Sequence, residues 1–179
     1  KIVIKQQKES LDILSDIETR LKKENIFTID ENSVTAEQED FLQDFFVQKV
    51  SPELITIILN DLAQFPVLKD TAGYLAIKLV MKHSDKEEQE TSSSREIRYA
   101  LVEIPKTINR FVVLPPEGDK QYIIMLDDVI RLNLNKIFNI FDYESVSAHM
   151  IKITRDAQLD IDSDLSKSML EKIATSVKD

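Results

Sequence analysis

The 179 residues predict an α+β domain, with about five mostly antiparallel strands packed against helices and a helical N-terminal segment. Three observations carry that prediction. Apolar side chains alternate along YLAIKLVMK (74–82), whereas they recur at helical spacing in 1–24 and again from 127 to 141. Two further strand patterns, RFVVLP (110–115) and QYIIML (121–126), are separated only by turn residues, so they should pair antiparallel. The chain divides by pattern into a mainly helical part, 1–62, and a sheet-and-helix part, 74–179, of a single domain.

The first helix carries Ile4, Leu11, Leu14, Ile17 and Leu21 on one stripe among lysines and acids, a stripe that must lie against something. A short extended piece follows around IFTID. Thr35 and Gln38 then have the spacing of a capping box, and the helix they open presents Phe41, Leu42, Phe45, Phe46 and Val50, read as core. Ser51-Pro52 ends that helix or starts another, and the β-branched run LITIIL suits helix or strand, so 54–59 stays open. The strand at 74–82 connects through DKEEQETSSS, which has no apolar residue, to a strand at 97–104, a hairpin with a long tip. After the strands at 110–115 and 121–126, Val129, Ile130, Asn133, Leu134, Ile137, Phe138 and Phe141 keep the helical period. Asp127 and Asp128 fall in that helix's first turn, where the positive dipole end accounts for them without catalysis. A fifth strand is read at 149–154 and a last helix at 163–177.

Composition removes several chemistries. There is no cysteine, which excludes disulfides, thiol nucleophiles and cysteine-based zinc sites. Two glycines, Gly73 and Gly118, leave no glycine-rich phosphate loop. His83 and His149 sit in no hydrolase or metalloprotease motif and read as structural. A net charge of −9 argues against a nucleic-acid grip, and no apolar run is long enough to span a bilayer, so the chain is expected to be cytoplasmic. From Arg95 to Arg155, however, nine basic residues meet eight acidic ones, and any anion site should lie there.

One stretch imitates a calcium loop. Asp160, Asp162, Asp164 and Glu171 occupy EF-hand ligand positions, yet Leu165 stands where the loop needs glycine and a strand pattern, not a helix, leads in. With Ser163 as N-cap, the acids instead fit the start of the last helix. No metal is expected in the chain. Both ends read as cut, an expectation of a domain excised from a longer polypeptide.

With the elements placed, RYALVEIPKTINRFVVLP (98–115), YIIMLDDVIRLNLNKIF (122–138) and KITRDAQLDID (152–162) closely resemble the middle, or head, domain of bacterial polyphosphate kinases. The sequence departs from the family pattern at Leu54-Ile55-Thr56-Ile57, at Ala157-Gln158 and at Leu126-Asp127-Asp128. The resemblance implies an enzyme that transfers the terminal phosphate of ATP to polyphosphate through a phosphohistidine. It also implies that the histidine, ATP and magnesium sites lie in other domains. This chain, by that implication, is non-catalytic. It would contact the other domains of the same enzyme, help build a homodimer and shape the polymer tunnel. Arg98, Lys106, Arg110 and Arg155 are the candidate polyphosphate contacts, since basic side chains match phosphate oxygens. Each also has a structural reading, Arg110 and Arg155 as partners of nearby acids or carbonyls. Two alternatives stand beside this one: a small phosphohistidine phosphatase-like enzyme, needing His83 or His149 in a cleft with an arginine, and a protein-interaction domain using the first helix.

Overall fold

A computed structural model describes residues 2–60, 62–82 and 96–153. His83, the hairpin tip, Arg155, the calcium-like stretch and the expected last helix lie outside them. The order is α1 (Ile2–Lys23), β1 (Ile26–Ile29), α2 (Ala36–Phe45), β2 (Ile55–Ile58), β3 (Gly73–Met81), β4 (Ile97–Glu103), β5 (Phe111–Val113), β6 (Gln121–Met125), α3 (Leu126–Leu132), α4 (Leu134–Ile137) and β7 (Tyr143–Lys152).

α1 ends where Asn25 takes a left-handed conformation, φ 56°, which an asparagine tolerates better than most residues. The same residue starts the next element. Its carbonyl accepts from the Gln121 N–H at 2.8 Å, and its side-chain amide donates to Asp119 at 3.0 Å, which sets β1 beside β6. β1 and β6 run parallel, and β5 closes the sheet antiparallel to β6, in the order β1-β6-β5. Gly118, φ 64°, supplies the positive dihedral in the tight turn between β5 and β6, a conformation that a side chain would strain.

The second sheet, β2-β4-β3-β7, is antiparallel throughout. β3 pairs on both sides and is covered on both faces. Leu75, Ile77 and Leu79 face the main core, while Tyr74 and Ala76 pack under Leu59, Leu68 and Ala72 of the long β2–β3 connection. Burying each large aliphatic side chain contributes about 1.5–3 kcal/mol, so this strand is the main anchor of the sheet. Asn60 fixes the edge beside β2 by accepting from the Tyr99 N–H (2.6 Å) and donating to the Ile97 carbonyl (3.0 Å).

The capping box forms as expected. The Gln38 N–H donates to Thr35 Oγ1 and the Thr35 N–H to Gln38 Oε1. Leu42, Phe46 and Val50 then descend onto Leu75, Ile77 and Val102. The chain widens into a π-helical turn over Phe46–Val50, and the Ser51 N–H reaches back to the Phe46 carbonyl, which keeps Val50 on the buried side before Pro52.

Several expectations are corrected. Among the described residues there are seven strands, because IFTID and the open 54–59 stretch both contain one, and these pair into the sheets formed by later residues. The fifth expected strand begins at Tyr143, since a solvent-facing edge shows weak alternation. The helix expected to run on to 141 breaks at Asn133, whose buried amide donates to the Val129 carbonyl. Phe41 and Phe45, read as core, are only half-buried and line a surface groove. Finally, α1 has no buried residue, and its stripe is open, with Ile4 71% and Leu11 66% exposed.

Candidate functional site

Among the described residues a dense arrangement of charge lies where β6 passes directly into α3. The Leu126 N–H donates to the Arg110 carbonyl at 2.8 Å, which brings the residue before β5 beside the first turn of the helix. Asp127 is buried there. One of its oxygens accepts from Arg131 Nη1 at 3.0 Å, and the other lies 3.1 Å from Arg110 Nη2 at an angle that makes no hydrogen bond. Asp128 also meets Arg131 Nη1, because residues three and four apart share a helix face. The Arg131 Nε donates weakly to the Ala148 carbonyl of β7, so the guanidinium ties helix to sheet.

Burial pushes the Asp128 carboxyl up to about 6. The neighbouring Asp127 charge and contact with Glu31 add to burial in reaching that value, and Arg131 opposes them. The Asp128 carboxyl, at the start of α3, therefore holds its proton more readily than a carboxylate in water does. Beside them opens a groove of about 420 Å³ lined by Glu31, Arg131, Asn135, Ser147 and His149. His149 and an arginine do share this cleft, as the phosphatase alternative requires, but the guanidinium is already committed to two carboxylates and a carbonyl.

Three of the four anticipated polyphosphate contacts lie among the described residues, each with different partners. Arg98, at the start of β4, pairs with Glu96 at 2.7 Å and lies 5.5 Å above the Phe141 ring. Lys106, beyond the far end of β4, donates to Thr71 Oγ1 at 2.6 Å. Arg110 belongs to the Asp127 cluster, and Arg155 falls outside the described residues. Arg131 was missed by sequence reasoning, although Asp-Asp-x-x-Arg at a helix start carries the spacing that would have found it.

A second groove, of about 520 Å³, is lined by Phe41, Phe45, Lys49, Glu53, Ile108 and the three residues of β5. Among the described residues no helix is long and apolar enough to cross a membrane, and no three acidic or histidine side chains converge as metal ligands.

The described residues form a two-sheet α+β module in which Arg98, Arg110 and Arg131 pair with acids of the same chain and Lys106 with a hydroxyl. Residues 37–179 match the polyphosphate kinase middle domain, and the chain belongs to that family. It is similar to the polyphosphate kinases of Yersinia pestis and Escherichia coli K12, each 32% identical over 183 aligned residues that cover 98% of this chain and 25% of the relative. The polyphosphate kinase of Vibrio cholerae is 30% identical over 90% of the chain. The crystal structure of polyphosphate kinase from Porphyromonas gingivalis shares the fold, with a TM-score of 0.69 and 24% identity over 87% of this chain and 24% of that one. The chain spans about a quarter of the length of the curated relatives it matches.

Proposed function

We propose that this chain is the non-catalytic middle domain of an enzyme that moves the terminal phosphate of ATP onto polyphosphate, acting in the cytoplasm, and that its work is to hold subunits together and shape the path of the polymer. The observation that supports this reading is membership of the family across nearly the whole chain, with the candidate basic residues spread over separate places and largely engaged within the domain. ATP and magnesium belong to other parts of the enzyme. The open apolar stripe of α1 is where those parts dock, because a helix without one buried side chain gains little from its own sequence and most from a partner face. Among the described candidates Lys106 is exposed while Arg98 and Arg110 are partly buried, and Lys106 is the residue placed to brush the polymer.

The test is sedimentation velocity of the 179-residue chain at low and high salt, alone and with long-chain polyphosphate, beside an assay of ATP-dependent polymer synthesis. The expected result is self-association that salt and polymer leave unchanged, with no synthesis by the chain alone. Polymer-dependent mass that vanishes in salt would move the role to direct phosphate binding. Synthesis by the chain would overturn the reading.

A further inference from the structure

We propose that the outer edge of β7 receives an extended segment of the same enzyme from outside these 179 residues, which joins the four-stranded sheet as a fifth strand and brings a basic side chain to Glu31. The proposal deepens the scaffold reading above and rests on it. β7 has β3 on one side and, among the described residues, no strand on the other. The Met81 N–H donates to the Glu96 carbonyl and the Ile104 N–H to the Gly73 carbonyl, so the odd-numbered residues of β3 bond to β4. The even-numbered ones bond to β7, in pairs such as Ala76–His149 and Lys78–Ser147. Val146, Ala148 and Met150 therefore turn their N–H and C=O groups outward. The Arg131 Nε that reaches the Ala148 carbonyl from beyond the sheet agrees with this phase.

That edge lacks the devices that keep an open strand from sticking. Natural edges are short, or carry proline, bulges or inward charges. β7 has ten residues and no proline, and its charged residues, Glu144 and Lys152, stand near its ends. Its irregularity lies at the start, opposite Val80 and Met81. The three outward positions hold Val, Ala and Met, with Met150 38% exposed. Such an edge calls for a permanent cover, and a segment of the same polypeptide supplies one at high effective concentration. The part matched here is 25% of the Yersinia pestis relative, so most of that polypeptide lies outside it.

The groove beside the edge has the shape and charge of that occupant. Val146, Ser147, Ala148 and His149 all line it although their side chains alternate between faces, so it follows the strand's main chain. Its far wall is Leu132 and Leu134, where α3 passes into α4. Addition of an extended segment to a free sheet edge is a recurring mode of recognition, with main-chain bonds giving affinity and pockets giving specificity. Glu31 stands in the lining and touches Asp128. Three carboxyls, Glu31, Asp127 and Asp128, meet two guanidiniums, Arg131 and Arg110, which leaves the cluster one cation short. A lysine or arginine of the incoming strand supplies it. Arg131 gives up the Ala148 carbonyl readily, since that bond is 3.4 Å long, and keeps its two carboxylates.

The test is hydrogen exchange of the 179-residue chain, alone and with overlapping synthetic peptides that cover the enzyme outside it. In the chain alone the amides of Val146, Ala148 and Met150 should exchange fast and those of Ser147 and His149 slowly. A peptide bearing Lys or Arg should protect the first three. N-methylation of the peptide amides that face β7 should weaken it about tenfold or more, while methylation of the alternate amides should not. Glu31→Gln should weaken the same peptide about fivefold and leave unchanged a peptide whose basic residue is replaced by leucine. If no peptide protects the edge, or if binding ignores N-methylation, the β7 site is overturned and the scaffold reading stands on α1. A bound peptide indifferent to Glu31→Gln overturns the assignment of a basic side chain. Edge amides already protected in the chain alone also overturn the proposal: protection independent of concentration assigns the edge to residues 154–179, and protection that grows with concentration assigns it to a second copy. Polymer synthesis by the chain would instead overturn the scaffold reading and leave the strand pairing untouched.

Discussion

Asp127 and Arg131, one helical turn apart, form a buried ion pair at 3.0 Å, with Arg110 closing on the other carboxylate oxygen. The pair joins the β6–α3 junction to the residue that precedes β5, and through Arg131 to β7.

Replacing Asp127 by Ala removes one of the two carboxylates that Arg131 meets and leaves Asp128 as the other, so the loss should be about 2 kcal/mol, between that of a surface pair and that of a stranded buried charge. Urea titration of the chain measures it. Combining Asp127→Ala with Arg131→Met should recover part of the loss, which a double-mutant cycle reads directly.

Asp128 predicts a pH dependence of definite sign. Its carboxyl titrates near 3.8 when unfolded and at about 6 when folded. Between those values the native state holds a proton the unfolded state has released, so this group's contribution to stability falls as pH rises from about 4 to 6. Asp128→Asn should therefore be more stable than the parent at pH 7.5, by on the order of 1 kcal/mol after allowance for screening, and lose that advantage at pH 4. Thermal melts at the two pH values test it.

At Gly73 an added Cβ would lie 2.9 Å from the terminal methyl of Met150, the free end of a flexible and partly exposed side chain. Gly73→Ala should consequently be close to neutral, within about 0.5 kcal/mol, the strand gain from lost chain freedom offsetting the shift of Met150. Gly73→Val should destabilise clearly, because a branched side chain also meets Ile104.

Gln38 closes the capping box of α2 and donates to Glu117 at 2.8 Å, linking the helix start to the β5–β6 turn. Gln38→Ala should cost about 1–2 kcal/mol, more than Thr35→Ala at about 1 kcal/mol, because it leaves Glu117 without this donor as well. Chemical denaturation of both variants sets the order.

Much of this architecture is legible in the residue pattern. β3 is readable because Leu75, Ile77 and Leu79 must face a core, and α2 because Thr35 and Gln38 declare its start. β1 and β2 are not, since each is four residues long and exists only through partners far along the chain, at 121–124 and 100–103. Phe41 and Phe45 share the helical period with Leu42 and Phe46, and nothing local separates the pair that lines a groove from the pair that fills the core. Arg98 and Lys106 are held apart locally, by the seven residues of β4 at about 3.3 Å each, whereas the place of Arg110 beside Asp127 is tertiary.

The pairing of β1 with β6 also sets a timetable for synthesis. Ile26 leaves the ribosome about 95 residues before Gln121, its partner, an interval of roughly 5–20 s at ordinary elongation rates. Throughout it, Ile26, Phe27 and Ile29 form an unpaired strand at the end of an amphipathic helix. The nascent chain therefore presents this apolar segment well before its partner strand exists, and a holding chaperone that recognises short apolar strands would find its target in that window.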